Sequence, residues 1–298
     1  MATLAETIFD ISTQHLRAGG LLLGQNIESV QGVNGTVPVD EPGCQIMPTC
    51  ELGGMGLSVG AALSGRPVIH VTRFASFMHM QCAALIHFAG KANALWGYNI
   101  PLFVRIVSGD GLGPVHSGTT HNLFCHVPGL TVCAPCTSRE YIAVWRAFVD
   151  AKTPFVVSEH RSTYAEGEVS LFVIQDSAAQ VLLIGISSAR ASMLKAAESL
   201  RAQGIGSDFC PLVWLNPFSV DEIHTVMDLA RKTKRVVIAD CAYEPCSVAE
   251  HLAYRIFTET GAKVRVVGME PRLSGVAAHL ENSTPTPDRI VQAVKEML

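Results

Sequence analysis

Charge is scarce in this chain. Only 16% of its 298 residues are Asp, Glu, Lys or Arg, against roughly 25% in an average soluble domain. A monomer so poor in charge would expose apolar patches of the kind that serve as interfaces, so an obligate oligomer is expected. No basic stripe is present, and 26 acidic against 22 basic residues leave a net charge of −4; both facts argue against a nucleic-acid partner. No uninterrupted apolar run approaches the ~18 residues of a membrane-spanning helix. The start, Met1-Ala-Thr-Leu-Ala-Glu-Thr7, lacks a basic stretch followed by an apolar core, so no secretory signal is expected. The nine cysteines are odd in number and scattered, which suits reduced thiols in a cytoplasm better than a disulfide framework. Cys133-Ala-Pro-Cys136 has the spacing of a redox motif, but the compact single domain that carries such chemistry is missing. Cys241 and Cys246 have the wrong spacing to complete a zinc site with it.

What is present is regular alternation. Apolar strands and amphipathic helices follow one another along the whole length, as in α/β layering with mostly parallel sheets. In the first half, strands are expected at Pro67–Thr72, Pro101–Val107, Leu130–Ala134 and Pro154–Ser158, with helices at Leu52–Leu63, Met78–Leu95 and Ser138–Ala151. The segment Tyr164–Ser177 interrupts the pattern and reads as a connection. Beyond it, strands are expected at Val181–Ile186, Asp208–Val213, Arg235–Asp240 and Lys263–Val267. Helices are expected at Ala189–Gln203, Val220–Lys232, Val248–Thr260 and Pro287–Met297. Capping boxes at Thr137…Glu140, Ser219…Glu222 and Ser247…Glu250, and Thr286-Pro287 at a helix start, support these boundaries. The expected fold is α/β, with two layered α/β/α domains at 1–165 and 179–298 joined by a linker at 166–178.

Three segments carry chemistry. Glu51 stands between the apolar stretch Cys44–Cys50 and the small-residue run Leu52–Ala62. A carboxylate in such surroundings is expected to be desolvated, with a raised pKa and a specific partner; a capped helix start is the plain alternative. Phe74 and Phe77 lie at the carboxyl end of a strand, one helical turn apart, where ligands collect in open α/β sheets; core packing is the alternative. The loop Ser108–Gly118 places His116 among glycines that permit close approach of a ligand.

The order Glu-x-Gly-x-x-Gly-x-x-x-Gly-Ala-Ala, Phe-x-x-Phe, Gly-Pro-x-His-x-Gly and Pro-Gly-Leu-x-Val-x-x-Pro resembles the pyrimidine-binding half of thiamine-diphosphate enzymes of the transketolase type. Thr153–Arg161, Tyr164 and Gly167–Val169 resemble, within it, the beta subunit of the decarboxylating component of 2-oxo-acid dehydrogenases. Gly113–Gly118 looks more like deoxyxylulose phosphate synthase and transketolase. Leu215–Glu222 and Arg235–Asp240 resemble the family's C-terminal domain. The resemblance implies catalytic roles for Glu51 and His116. Glu51 would hydrogen-bond the aminopyrimidine of the cofactor, and His116 would sit near the substrate carbonyl. Phe74 and Phe77 would pack on the pyrimidine, with Met80 one turn further on where transketolases often have Tyr.

The family's Gly-Asp-Gly metal motif, followed by Asn some two dozen residues later, has no good counterpart. Gly109-Asp-Gly111 lacks the Asn near Thr137 and lies in the wrong loop, so no metal ligand is assigned here. The chain therefore resembles half an enzyme. Thiamine diphosphate and Mg²⁺ would be completed by an alpha-type partner subunit, in an α2β2 heterotetramer acting on a small keto substrate. Two alternatives stand beside this: the C-terminal subunit of a split transketolase, with His121, Arg161 and Arg272 as candidate phosphate ligands, and a non-catalytic partner subunit. Departures from the family pattern are Gln25-Asn26 in place of an acidic residue and Arg73 in place of a small one. A potassium ion near Asp150 is implied by resemblance alone.

Overall fold

The computed structural model describes residues 2–165 and 173–298. The chain divides into two compact units: residues 1–109 with 115–169, and residues 110–114 with 170–298.

The first unit opens with α1 (Leu4–Arg17), whose start is a capping box the sequence reading missed: Thr3 accepts from the Glu6 backbone and Glu6 accepts from Thr3. Six parallel strands follow: β1 (Leu21–Gln25), β2 (Cys44–Met47), β3 (Val68–Thr72), β4 (Leu102–Ser108), β5 (Thr131–Cys133) and β6 (Phe155–His160). Their order in the sheet is β2-β1-β3-β4-β6-β5. Every residue of β3, β4 and β6 is buried. Successive strand residues point to opposite faces, so both faces of this sheet are covered, as a parallel sheet requires.

Helix α2 (Glu51–Leu63) packs beside β1 and β3. Ser58 of α2 and the Nδ1 of His70 on β3 share a buried hydrogen bond of 2.8 Å that ties the helix to the sheet. The expected helix over 78–95 is α-helical at Met78–Ala84 (α3), widens into a π turn at Leu85–Ala89, and resumes as α4 (Gly90–Trp96). Helix α5 (Ser138–Asp150) starts at the expected capping box. After β1 the chain makes a left-handed turn: Val30, Gln31, Gly32, Val33 and Asn34 all have φ between 50 and 69°. Such a conformation costs about 1–2 kcal/mol per non-glycine residue, so tertiary contacts must hold it. The buried Arg105 supplies one, donating to Thr36 Oγ1 at 2.8 Å just beyond the turn.

The second unit has four parallel strands in the order β11-β10-β7-β8: β7 (Ala179–Ile186), β8 (Gly206–Leu212), β10 (Arg235–Tyr243) and β11 (Lys263–Met269); a short β9 (Trp214–Asn216) follows β8 along the chain and is not part of this sheet. Helices α6 (Ala189–Ala202) and α9 (Pro287–Lys295) close one face, where Met193, Leu200, Ile290 and Val294 meet Val181, Leu183 and Val237. The alternate residues Leu182, Ile184, Val236 and Ile238 are equally buried, and α7 (Val220–Thr233) and α8 (Val248–Thr260) pack on the strands as well. The caps at Ser219, Ser247 and Thr286 all accept from the expected backbone N–H groups. Glu222 reaches back to the N–H groups of Val213 and Trp214, so its carboxylate fastens the preceding loop.

Two expectations change here. Tyr164, read as the start of the connection, is buried and donates its hydroxyl to Glu159 at 2.6 Å, because that carboxylate needs every donor it can reach. The linker expected at 166–178 falls largely on residues outside those described. All nine cysteines are free thiols, and Cys133 and Cys136 are buried.

Candidate active site

In the first unit the strand order reverses between β1 and β3: the chain leaves β1 for β2 on one side, and β3 for β4 on the other. Ligands in open α/β sheets bind beyond the carboxyl ends of strands at such a switch. The candidate residues lie there. Glu51 follows β2, Phe74 follows β3, His116 follows β4 and Arg161 follows β6.

Glu51 occupies the first position of α2. Cys50, the N-cap, makes no side-chain capping bond, so the alternative of an ordinary capped start does not describe this terminus. A carboxylate at this position is favoured by the partial positive charge of the helix N-terminus. The side chain is half-buried and makes no hydrogen bond or ion pair among the described residues. The deep desolvation and specific partner expected from the sequence are therefore not supplied by this chain alone. Nearby, Gln25 at the end of β1 has its Nε2 buried without a partner. It flanks the first turn of α2, where a Cβ on Gly54 would lie 3.5 Å from it. The helix then presents Gly56 and Gly60 with open space around them, as the small-residue run suggested.

Phe74, Phe77 and His116 come together. Phe74 and Phe77 meet edge to face, with ring centroids 6.0 Å apart. The His116 ring lies flat on Phe74 at 4.0 Å, 16° from parallel, and edge-on to Phe77 at 5.5 Å. Its Nδ1 is buried without a hydrogen-bond partner among the described residues. Both phenyl rings are half-buried, so neither is simply core. Met80, expected to add a thioether contact, is 51% exposed. Arg161 joins the cluster, its guanidinium carbon 4.6 Å from the Phe74 centroid, and Arg73 stands at 5.0 Å from the same centroid.

The other two candidate phosphate ligands lie elsewhere. His121 is fully buried, with its Nδ1 3.2 Å from Ser158 Oγ. Arg272 is committed to Glu270 and to the carbonyls of Leu280 and Glu281. Asp110 of the Gly-Asp-Gly run accepts from the Thr284 backbone at 3.2 Å within the second unit. Among the described residues there is no group of three His, Cys, Asp or Glu able to hold a metal ion.

One buried cluster had no sequence signal. Arg105 on β4 makes a paired contact with Glu159 on β6, Nε to Oε1 at 2.7 Å and Nη2 to Oε2 at 2.9 Å. Tyr141 and Tyr164 donate their hydroxyls to the same carboxylate at 2.8 and 2.6 Å. Burial and the Glu159 charge hold both phenols well above their ordinary pKa. Burial disfavours the Arg105 charge, but Glu159 outweighs it and raises the pKa above the usual guanidinium value. Adjacent strands make Arg105 and Glu159 neighbours across 54 residues of sequence, which no local pattern announces.

Known proteins bear on this arrangement. The family described as transketolase, pyrimidine binding domain, matches residues 40–166, and the transketolase C-terminal domain matches residues 172–290. The pyruvate dehydrogenase E1 component subunit beta of Rhizobium meliloti is 25% identical over 98% of this chain and 69% of its own length. The acetoin:2,6-dichlorophenolindophenol oxidoreductase subunit beta of Cupriavidus necator is 27% identical over 70% of this chain; that match spans 65% of its own length. Its Bacillus subtilis counterpart is 26% identical over 84% of this chain and 78% of its own. Among solved structures, a split-gene transketolase described as an inactive beta4 tetramer superposes with a TM-score of 0.78 at 16% identity, covering 99% of this chain and 98% of that one. Campylobacter jejuni transketolase gives 0.74 at 15% identity, covering 99% of this chain and 46% of that one. These two share the fold. With both domain matches in sequence order and the aromatic and acidic residues gathered at one sheet edge, the chain belongs to the transketolase-type family of thiamine-diphosphate enzymes, as a pyrimidine-binding domain followed by the C-terminal domain.

Proposed function

We propose that this chain is the beta-type subunit of a heteromeric thiamine-diphosphate enzyme that cleaves the bond next to the carbonyl of a 2-oxo acid and transfers the acyl unit. The observation that carries the reading is Glu51: a carboxylate at a helix N-terminus, at the ligand-binding edge of the sheet, with no partner among the described residues. The aminopyrimidine end of the cofactor fits this set of groups. Glu51 would hold a proton against its ring nitrogen, and Phe77 and Phe74 give it flat apolar walls. The unpartnered Nδ1 of His116 would hydrogen-bond the substrate carbonyl as negative charge develops there. Thiamine diphosphate, when bound, supplies the electron sink, and the protein supplies position and proton traffic.

The diphosphate and Mg²⁺ belong, in this reading, to an alpha-type partner in an α2β2 assembly. Support comes from apolar side chains exposed beside the site. Leu52, Leu57 and Leu63 on α2 and Phe88, Leu95 and Trp96 on the neighbouring helix are all exposed in the single chain. An apolar surface of this kind marks an interface, and covering it would also complete the burial of Glu51. The free thiols support a reducing, cytoplasmic setting. A split transketolase is the second reading, favoured by the Gly113-Pro-Val-His-Ser-Gly118 loop.

The test is reconstitution. The chain is co-purified with its natural partner and supplied with thiamine diphosphate and Mg²⁺, and 2-oxo acids are compared with ketose phosphates as donors. Turnover of the oxo acids, none by the chain alone, and loss of turnover in an assembled Glu51→Ala complex are expected. Full activity of the chain without a partner would refute the proposal.

A further inference from the structure

We infer that Thr120 is a positioning residue: its hydroxyl fastens the loop after β4 to the turn after β3 and so sets the place of His116 in the site. The turn Phe74–Phe77 is held by its carbonyls. Arg161 Nη2 donates to the Arg73 carbonyl at 2.6 Å, the Phe77 N–H to that of Phe74 at 3.1 Å, Thr120 Oγ1 to that of Ala75 at 3.1 Å and His79 Nδ1 to that of Ser76 at 2.7 Å. Consecutive carbonyls are thus engaged by groups from separate elements. The Thr120 bond differs from the others in its origin, because it comes from the loop that carries His116. That loop is closed at its base, where the Gly118 N–H donates to the Gly109 carbonyl at 3.1 Å, and Thr120 stands just beyond the closure. The carbonyl it meets belongs to Ala75, a fully buried residue.

His116 is held in the site by ring contacts. Its ring lies on Phe74 at 4.0 Å and 16° from parallel, and its Nδ1 has no hydrogen-bond partner among the described residues. Offset stacking tolerates a range of ring positions, so it fixes the plane of the imidazole better than the point to which Nδ1 is brought. A hydrogen bond has a preferred length and direction. One placed between the His116 loop and the turn that bears Phe74 removes the remaining freedom, since the two stacked rings then ride on backbones tied to each other. The place of Nδ1 matters because a misplacement of about 1 Å at a reacting centre costs on the order of 10²-fold in rate. The donor is the hydroxyl itself. Valine has nearly the shape of threonine but cannot donate, and it would leave the Ala75 carbonyl short of a partner. Serine keeps the donor and loses only a methyl group.

The catalytic purpose of the clamp rests on the thiamine-dependent reading, so the test has two arms. In the reconstituted holoenzyme with pyruvate as donor, Thr120→Val and Thr120→Ala should each lower kcat and kcat/KM together by about 10- to 100-fold. KM and the affinity for thiamine diphosphate should stay close to wild type, and Thr120→Ser should recover most of the loss. A raised KM with kcat unchanged, weaker cofactor binding, or an equal loss in the Ser variant would overturn the assignment in favour of general support of the fold. In the second arm the purified full chain, without cofactor or partner, is treated with diethyl pyrocarbonate, which acylates neutral imidazole. Modification at His116 is followed by peptide mass spectrometry. Loosening of the loop should speed it about 5-fold or more in the Val and Ala variants, the factor for one ordinary hydrogen bond. The Ser variant should keep the wild-type rate, and the exposed His224 and His251 of the second unit should react alike in all the proteins. Equal rates at His116 throughout would sink the clamp. Because this arm needs no turnover, it separates the two failures: a wild-type complex inactive on all donors would count against the thiamine reading, and the modification rates would still decide the role of Thr120.

Discussion

Two arginine clusters in the first unit differ in one respect that separates architecture from chemistry. Around Arg105 every charge is answered: Glu159 accepts from Nε and Nη2, two phenols complete the carboxylate, and Thr36 accepts two further N–H groups through its hydroxyl and carbonyl. Around Arg161 little is answered. Among the described residues, a buried Nε, the buried Nδ1 of His116 and the Glu51 carboxylate all lack partners, and two guanidinium groups share one phenyl ring. A fold that leaves polar atoms unpaired does so at a cost. Where the same sheet satisfies a fully buried ion pair so completely, the unpaired groups at its edge are best explained by what they bind.

That contrast can be broken most decisively at Glu51. Replacing it with Ala should lower turnover of the reconstituted enzyme by roughly 10²–10⁴, the worth of a positioned proton-transfer group, while gel filtration shows the complex intact. Turnover within a few-fold of wild type would move Glu51 to the structural side. At the buried cluster the reverse should hold. Glu159→Gln or Arg105→Met should each cost about 3–5 kcal/mol in urea unfolding, because a charge is stranded in the core. The double replacement should cost less than the sum of the two singles. Arg161→Gln, by comparison, should change unfolding free energy by less than about 1 kcal/mol. An equal loss at both arginines would erase the distinction.

His70 sharpens it through pH. Burial pushes its pKa from 6.5 down to about 4, with Gln81 opposing, and its Nε2 has no hydrogen-bond partner. Above pH 6.5 the ring is neutral in both folded and unfolded chains and contributes nothing to the pH dependence. As pH falls from 6.5 toward 4 the unfolded chain takes up a proton that the folded one refuses. Stability should therefore drop across that window, by up to about 3 kcal/mol. Urea titrations at pH 7, 5.5 and 4.5 would show the slope, and His70→Leu should flatten it. The smallest effect belongs to the second unit: Thr286→Ala, removing the cap on α9, should cost about 1 kcal/mol by thermal unfolding.

Much of this was written locally. The helix starts at Thr137, Ser219, Ser247 and Thr286 were legible because a cap and its first turn lie within four residues of each other. In the second half β7 and β10 were legible because burial on both sheet faces makes them continuous apolar runs, whereas β11 alternates exposed and half-buried residues from Lys263 to Val266. Phe74, Phe77 and His116 were legible as candidates, though not as a stack, since ring orientation depends on the loops after two different strands. No strand or helix was legible in the first fifty residues: β2 is four residues long, and a left-handed turn at Val30–Asn34 defies propensity and needs distant contacts to hold it. His121, a candidate phosphate ligand by its residue type, is fully buried against Ser158, which nothing local reveals.

By itself the sequence determined the alternation of elements, their caps, and an ordered set of motifs that resembles the pyrimidine-binding half of one enzyme family. Those are properties of short stretches, set by side-chain size, periodicity and the local satisfaction of backbone groups. The tertiary structure alone decided which charges would be paired and which left open. Arg105 found its carboxylate and Arg161 did not because parallel strand order, rather than spacing along the chain, brings residues 54 apart into hydrogen-bond reach.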